Sequence, residues 1–271
     1  MSAIEERFPR PSVMGVVNVT PDSFSDGGVN FRPGDAIASA RRMVEEGAAI
    51  VDIGGESTRP GADAVSPDEE LRRVVPVLEE LGGAVPVSID TAKAEVARRA
   101  IELGAELVND VTALRGDPGL AEVVASSGAY LCLMHMQGEP RTMQDSPTYQ
   151  DVAAEVASFL EQRLAFAVEA GIPEERICLD PGFGFGKTTE QNFELLGRLG
   201  QIVALGRPVL VGLSRKRSLG RILGDPDATT GPLSASIAAA VEAYDRGAAI
   251  FRVHDVREHV EALTVAAAVP R

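Results

Sequence analysis

Lysine, histidine and cysteine are scarce in this chain of 271 residues. Only Lys93, Lys187 and Lys216 are lysines, whereas lysine and arginine together number 26. A chain that prefers arginine so strongly keeps lysine mostly where a compact ammonium is needed, or by chance. The two cysteines, Cys132 and Cys178, lie in apolar runs and match neither a disulfide framework nor a zinc site. We expect both to be small buried side chains in a reducing cytoplasm.

Two further absences limit the partners of the chain. Basic residues are outnumbered by 40 acidic ones, so the net charge is −14 and the sequence pI is near 4.7. This balance disfavours binding to nucleic acid or to acidic membranes, although a few buried cations would still hold a small anion. No apolar run approaches the roughly 20 residues of a membrane helix, and the charged segment Met1–Arg10 lacks the apolar core of a signal peptide. We therefore expect a cytoplasmic protein with small-molecule partners.

Short apolar runs, each ending in polar residues, recur along the whole chain. Runs without alternation of polar and apolar side chains are typical of parallel strands that are covered on both faces. Eight such strands alternating with helices predict a single (β/α)8 TIM barrel, with residues 1–271 as one domain. The predicted strands are Val13–Thr20, Ala49–Gly55, Pro86–Thr91, Leu107–Thr112, Tyr130–Met136, Ile177–Gly182, Pro208–Lys216 and Ile250–Val256. The predicted helices are Asp35–Glu46, one that begins at the Ser66–Glu69 capping box, Ala92–Leu103, Asp117–Ser126, Asp151–Ala170, Thr189–Ala204, Leu233–Arg246 and Arg257–Ala268.

Neither glycine-rich nucleotide motif is present. A doubly wound sheet would favour G-x-G-x-x-G after the first strand, where this chain has Asn18–Phe24. The segment Gly182–Thr188 looks like a phosphate loop, but a Walker A motif requires glycine where Pro181 stands. Its glycines and two phenylalanines instead predict a loop that closes over a flat ligand. Lys187 in this loop is interpreted either as functional or as a solvated loop lysine, and Lys93 as a surface residue.

Polar side chains follow nearly every predicted strand. In a barrel the carboxyl ends of the strands form the active site, so these residues are candidates as a group. Each also has a plainer interpretation: Asp90 could cap a helix, Asp52 could be a buried structural carboxylate, and Asp110 could bind neighbouring backbone. Their convergence nevertheless favours a ligand site. The group comprises Asn18, Asp52, Glu56, Asp90, Asn109, Asp110, His135, Asp180, Ser214, Lys216, Arg252, His254 and Asp255.

The residue types in this group indicate the ligand chemistry. Asp90, Asn109 and Asp180 offer acceptors for the N–H edge of a flat nitrogen heterocycle. Lys216 would donate to a ring carbonyl or nitrogen, and the period of two places it on one face of its strand with Gly212 and Ser214. By the same period Arg252 and His254 share a face, as a cationic pair suited to phosphate. Asn18 offers an oxygen for a hydrated Mg²⁺.

The ordered motifs resemble the dihydropteroate synthase family of folate biosynthesis. Each short block alone is weak, but together they run in order through nearly the whole chain. The matching blocks are Met14–Gly28, Asp52–Gly61, Ser88–Thr91, Asn109–Asp110, Leu133–Met136, Asp180–Phe185, Ser214–Lys216 and Arg252–Asp255. The resemblance implies a TIM barrel, usually a homodimer, that requires Mg²⁺. It implies the joining of 4-aminobenzoate to 6-hydroxymethyl-7,8-dihydropterin diphosphate, with 7,8-dihydropteroate and diphosphate as products.

The same resemblance implies a role for individual residues. The pterin pocket would consist of Asp90, Asn109, Met134, Asp180 and Lys216. The diphosphate would lie at Asn18, Arg252 and His254, with Asn18 also the Mg²⁺ ligand. The aminobenzoate side would consist of Thr58, Arg59, Pro60, Phe185, Gly212 and Ser214. Asp22 and Phe24 would belong to a mobile first loop over the reacting carbon, and the catalytic set would be Asp22, Lys216, Arg252 and His254.

Two alternatives remain open from the sequence. A methyltetrahydrofolate-dependent methyltransferase would share the Asp and Asn contacts to a pterin, but would not explain the Arg252–His254 pair or the Ser214–Lys216 block. A catalytically silent pterin-binding paralogue would serve as a partner subunit, and the complete motif set disfavours it. Because the second loop runs from Thr58 to Gly61 without an insertion, we also expect binding of sulfonamide mimics of aminobenzoate.

Overall fold

Eight parallel strands follow one another around a barrel in the computed structural model, which describes residues 2–20, 33–58 and 62–270. Most strand positions hold buried apolar residues, as the apolar runs predict. The strands are β1 (Ser12–Asn18), β2 (Ile50–Gly54), β3 (Val87–Asp90), β4 (Ala105–Asp110), β5 (Tyr130–Met134), β6 (Ile177–Asp180), β7 (Leu210–Val211) and β8 (Ile250–Val253). The predicted TIM barrel is confirmed.

Helices cover the outside of the barrel between successive strands. In the described ranges they are α1 (Ile4–Arg7), α2 (Pro33–Glu45), α3 (Pro67–Leu81), α4 (Ala94–Glu102), α5 (Leu120–Ser127), α6 (Val152–Glu169), α7 (Thr189–Gly197), α8 (Gly200–Val203), α9 (Arg217–Ile222), α10 (Leu233–Asp245) and α11 (Val256–Ala268), with a short 3-10 turn at Glu174–Arg176. The start of α3 is the predicted one, because the Ser66 hydroxyl accepts from the Glu69 amide at 3.2 Å. No helix in these ranges is long and apolar enough to cross a membrane.

The sheet register brings the carboxyl ends of neighbouring strands to one level. The order is β6-β5-β4-β3-β2-β1-β8-β7, and a parallel bridge between Leu179 and Val209 joins its two ends. In this register Gly54 pairs with Asn18 on one side and with Asp90 on the other, and Asp90 pairs with Asn109. Candidate residues from three strands therefore lie side by side before any ligand is considered.

The amino-terminal end of the barrel is filled by apolar side chains. Ile4 and Phe8, at the start and just after the end of α1, are buried against residues of the strands. The Phe8 ring meets the Tyr130 ring edge to face, with 5.7 Å between centroids. Cys132 and Cys178 pair in register within this layer and are fully buried free thiols, as expected.

Two predicted elements are shorter than expected. The strand predicted over Pro208–Lys216 is only the two residues of β7, because the chain turns at Ser214–Arg215, where Arg215 has a φ of +57°. The Arg215 guanidinium is held in this turn by Asp255, at 2.6 Å and 3.0 Å. The expectation that Gly212, Ser214 and Lys216 share a strand face is therefore wrong. The helix predicted over Thr189–Ala204 is divided into α7 and α8.

Candidate active site

A buried carboxylate organises the centre of the barrel mouth. Asp52, in the middle of β2, accepts from the Ser88 hydroxyl at 2.6 Å, the Asn109 amide at 3.0 Å and Arg252 Nε at 2.7 Å. Arg252 in turn donates through Nη2 to Asp90 Oδ2 at 2.8 Å. Since every oxygen of Asp52 is engaged by protein groups, the interpretation as a structural carboxylate is the correct one. It fixes the orientation of the residues that surround it.

Asn109 presents a free acceptor. Its amide nitrogen is bound by Asp52, so the amide oxygen is turned the other way. That oxygen is buried and has no hydrogen-bond partner among the described residues. A buried polar atom left without a partner is costly, on the order of 1–3 kcal/mol, unless a ligand or water satisfies it. Asn109 is therefore placed to accept a hydrogen bond from a ligand or a water that enters the barrel mouth.

Two further carboxylates stand at this end of the barrel. Burial raises the pKa of Asp180 to about 6, and the Gly182 amide, which donates to it at 2.7 Å, opposes the rise together with Lys216. Burial also raises the pKa of Asp90, against the nearby Arg252 charge. Asp90 does not cap α4, because the Ala94 amide donates to Asp117 instead, at 2.8 Å.

Lys216 lies over an aromatic ring. Its Nζ is 4.3 Å from the centroid of the Phe185 ring, a cation–π contact. Burial and the neighbouring Arg252 charge lower the pKa of Lys216 to about 8. The structure therefore groups Phe185 with Lys216 of the predicted pterin set. Lys216 directly precedes α9, so the turn at Ser214–Arg215 brings it to the site in place of a longer strand.

An apolar wall completes the pocket. Met134, at the end of β5, is buried with Val111, Met136 and Met143, and Phe185 packs against this cluster. Met134 and Phe185 were predicted as site residues from the sequence, whereas Val111, Met136 and Met143 were not. Val111 directly follows the Asn109–Asp110 block, and Met136 closes the Leu133–Met136 block, so proximity to recognised motifs was the available signal. Methionines of this kind give a flat ring an adaptable apolar contact.

His254 is a neutral hydrogen-bonding group. Burial and the nearby charges of Arg215 and Arg252 lower the pKa of His254 to about 3, so the expected cationic pair with Arg252 is wrong in its second member. The Ser214 hydroxyl accepts from the His254 amide at 3.2 Å and lies 3.1 Å from Nδ1. Among the described residues Nδ1 is the acceptor within reach of the hydroxyl proton, so we assign the ring proton to Nε2. Arg252 keeps its charge, because Asp52 and Asp90 raise its pKa.

Asn18 lies at the end of β1 and borders the same glycine as Asp90. A Cβ added to Gly54 would stand 3.6 Å from Asn18 Oδ1 and 3.7 Å from Asp90 Oδ2. Thr58 and Gly212 are half-buried at the rim. Four other predicted site residues, Asp22, Phe24, Arg59 and Pro60, lie outside the described residues.

Lys187, Lys93 and Asp110 each have partners within the protein. Lys187 is buried rather than solvated, and Lys93 is not a simple surface residue, since its ammonium binds Glu56 at 2.7 Å and Glu70 at 2.5 Å. Asp110 accepts from the amides of two residues that follow it, as its plainer interpretation predicted.

Comparisons with known proteins show the family of the chain. The model of the family described as "Pterin binding enzyme" matches residues 14–254. The dihydropteroate synthase of Escherichia coli K12 is 49% identical over 260 residues, which cover 94% of this chain and 90% of that protein. The chain belongs to the dihydropteroate synthase family.

Solved members of the family share the fold closely. The Yersinia pestis dihydropteroate synthase, in a complex with a sulfonamide drug, has a TM-score of 0.90 at 47% identity, covering 96% of this chain and 94% of that one. The Xanthomonas albilineans dihydropteroate synthase, solved with 4-aminobenzoic acid, has a TM-score of 0.87 at 51% identity, covering 97% and 95%. The methyltransferase alternative is not favoured by these relatives.

Proposed function

We propose that this chain catalyses the dihydropteroate synthase reaction, in which 4-aminobenzoate displaces the diphosphate of 6-hydroxymethyl-7,8-dihydropterin diphosphate. The observation that carries the proposal is the buried, unpartnered oxygen of Asn109, which stands at the mouth with the carboxylates of Asp90 and Asp180. A pterin presents ring and amino N–H groups along one edge, and these acceptors satisfy such an edge. Met134, in the apolar cluster against which Phe185 packs, supplies apolar surface for its face.

The reaction transfers a methylene carbon from oxygen to nitrogen. The bond between the methylene and the diphosphate oxygen breaks with its electron pair on oxygen, and the arylamine forms the new C–N bond and loses a proton. Arg252 supplies positive charge near the departing oxygens, and His254 supplies a neutral N–H donor from Nε2. Asp22 would stabilise cationic character on the methylene, as the family resemblance implies. Because the arylamine is already a nucleophile, a strong base is not required.

Mg²⁺ is proposed as the cofactor, with Asn18 as its protein ligand. Within the described ranges no group of three or more His, Cys, Asp or Glu side chains could enclose a metal. Mg²⁺ prefers to keep several waters and takes few protein oxygens when phosphates supply others, so a single amide oxygen beside the pocket suits it. When bound, the ion would neutralise charge on the leaving diphosphate.

The aminobenzoate would lie nearer to the rim than the pterin. Thr58, Arg59, Pro60, Phe185, Gly212 and Ser214 form this side by the family resemblance. A Cβ at Gly212 would meet no atom within 4 Å, so space is open there. We expect sulfonamides to compete with 4-aminobenzoate in a calorimetric titration, and additive binding of the two would contradict this assignment.

A homodimer in the cytoplasm is part of the same proposal. Val265 and Val269 are exposed on and just after α11, where they border a groove against Ile237 and Val241 of α10. Exposed apolar side chains of this kind support an interface between copies. Sedimentation equilibrium at micromolar concentration tests this point, and a monomeric mass would contradict it.

The deciding experiment measures diphosphate release by the purified protein. With both substrates and Mg²⁺, release should be matched by formation of 7,8-dihydropteroate, and omission of 4-aminobenzoate should abolish that product. The Asp180→Asn variant serves as the control for activity from contaminants. A silent paralogue would bind the pterin without release, and a methyltransferase would show cobalamin-dependent methyl transfer instead.

A further inference from the structure

Lys187 is a buried cation that the proposed mechanism does not use. Its side chain is only 2% exposed, and its Nζ lies 2.9 Å from His135 Nδ1, 2.9 Å from the Gly182 carbonyl and 3.1 Å from the Phe185 carbonyl. The three ammonium protons therefore have three acceptors. In the described part of the chain it has no carboxylate partner within ion-pair distance, so its charge is balanced mainly by dipoles. Such an arrangement is costly unless the geometry it enforces is needed.

The geometry that Lys187 enforces is that of the loop from residue 182 to residue 186. Gly182 has a φ of +69°, and a Cβ there would come within 1.8 Å of the His135 carbonyl oxygen, so the loop backbone lies directly on the residue after β5. Farther along, the Tyr149 hydroxyl donates to the Gly186 carbonyl at 2.8 Å. The loop is thus fixed at several points by the described residues around it.

His135 is fitted for the role of acceptor. Its ring meets the Phe159 ring edge to face, with 4.9 Å between centroids, and it is buried. Burial lowers the pKa of Lys187 to about 7, and toward its ammonium form, which has only donors, Nδ1 accepts and the ring proton lies on Nε2. Burial and the Lys187 charge lower the pKa of His135 to about 2, which agrees with a permanently neutral ring.

Phe185 connects this buried contact to the substrates. Lys187 binds the backbone carbonyl of Phe185, and the Phe185 ring lies under the Lys216 ammonium and against the Met134 cluster. We propose that Lys187, with His135 as its acceptor, is a positioning residue for the transfer reaction, because it fixes Phe185 and through it the Lys216 ammonium. The kinetic test of this proposal rests on the proposed function, whereas the test by pterin binding does not.

Four variants test the proposal. Lys187→Met keeps the stem and removes the charge, whereas His135→Leu removes the acceptor at similar volume. His135→Asn places an amide oxygen near the position of Nδ1 and restores an acceptor. Tyr149→Phe removes a neutral hydrogen bond to the Gly186 carbonyl of the same loop, leaves the Lys187 contacts in place, and is the matched control. Stability is followed by thermal unfolding for all four.

The expected result is a change in substrate affinity that loss of folded protein would not produce. Lys187→Met and His135→Leu should raise the KM for the pterin diphosphate about tenfold and lower kcat by roughly ten- to a hundredfold, since misplacement by about 1 Å has effects of this size. His135→Asn should stay within about threefold of the wild type, and Tyr149→Phe within about twofold. A merely structural role lowers the active fraction, and so kcat, and leaves KM unchanged.

Two results would overturn the proposal. One is an unchanged KM in folded His135→Leu, which decides the matter even if Lys187→Met does not fold. The other is equal loss in His135→Leu and His135→Asn. Calorimetry with 6-hydroxymethylpterin gives the same comparison without turnover: the affinity should fall about tenfold in His135→Leu and recover in His135→Asn. Failure of wild-type diphosphate release would therefore count against the proposed function alone.

Discussion

Arg252 lies across Asp52 and Asp90, and binds one through Nε and the other through Nη2. Both carboxylates are buried, with Asp52 fully inaccessible. One guanidinium on β8 thus neutralises charges on β2 and β3 at the level of the binding pocket. The same residue has a structural role in the protein without ligand and a proposed electrostatic role toward the diphosphate.

Arg252→Met should lose stability as well as activity. Removing one partner from a buried ion pair leaves uncompensated charge and typically costs about 3–5 kcal/mol. Urea denaturation measures the loss. The double variant Asp52→Asn/Arg252→Met is the control, since it removes one of the stranded carboxylates and should regain part of the free energy of unfolding. Equal stability of the single and double variants would show that Asp52 is not held by Arg252.

Lys216→Arg should not be a conservative change. The Lys216 ammonium lies over the Phe185 ring and its stem passes close to Gly184, so we expect a longer planar guanidinium to displace these contacts. We expect kcat/KM to fall by roughly a hundredfold, as measured by diphosphate release. The exposed Arg221→Lys, which makes the opposite exchange on α9, should have little effect. Near-normal activity of Lys216→Arg would refute the role of its compact ammonium.

His254→Gln should retain more activity than His254→Asn. With the ring proton on Nε2, the group presented to the diphosphate is a neutral donor, and the glutamine amide nitrogen reaches the corresponding position. The asparagine amide instead corresponds to Nδ1, which faces Ser214. The comparison of kcat at saturating 4-aminobenzoate checks this. If Asn were the better replacement, the tautomer would be assigned wrongly.

Pterin binding should strengthen as the pH rises through about 6. Burial raises the pKa of Asp180 to that value, and its carboxylate form accepts the N–H groups of the ligand. Below pH 6 the affinity should fall by up to about tenfold per pH unit, and it should level off only above about pH 8, because burial raises the pKa of Asp90 to about 7 as well. The stability of the fold should depend on pH in the opposite direction. Because the raised pKa favours protonated Asp180 in the native state, the stabilising contribution of this residue is lost as the pH rises from about 4 to about 6.

Calorimetric titrations of 6-hydroxymethylpterin between pH 5 and pH 8 provide the measurement. Asp180→Asn should bind weakly and with a flatter pH dependence, which separates Asp180 from Asp90, whose pKa is also raised. A slope that persists unchanged in Asp180→Asn would assign the titration to another group.

Most of the barrel and its polar rim could be predicted from the sequence, because the strands are short continuous apolar runs with polar ends. The extent of β7 could not, since the Ser214–Arg215 turn depends on an ion pair with Asp255, which lies 40 residues away. Charge states were also beyond the sequence. The sequence predicted His254 as a second cation beside Arg252, but burial and the charges of Arg215 and Arg252 lower its pKa and keep it neutral.

The environment of the lysines follows the same rule. The sequence left Lys187 as either a functional or a solvated residue and predicted Lys93 at the surface. Contacts with His135 accompany the burial of Lys187, and an ion pair with Glu70 leaves Lys93 half-buried. Val111 and Met143 were missed because a methionine or valine carries no chemical signal of a ring-binding wall until the fold assembles it.

The apolar layer around Phe8 closes the amino-terminal end of the barrel and determines the route by which substrates enter. Ile4, Phe8 and Tyr130 occupy the end of the barrel opposite the carboxylates, so substrates reach the described site from the other end. The pterin acceptors Asn109 and Asp180 are nearly inaccessible, whereas Thr58 and Gly212 lie half-buried at the rim. We expect an ordered sequence, with the pterin diphosphate entering first, and product-inhibition kinetics check it. Aminobenzoate and its mimics then compete only for protein that has already bound the pterin diphosphate.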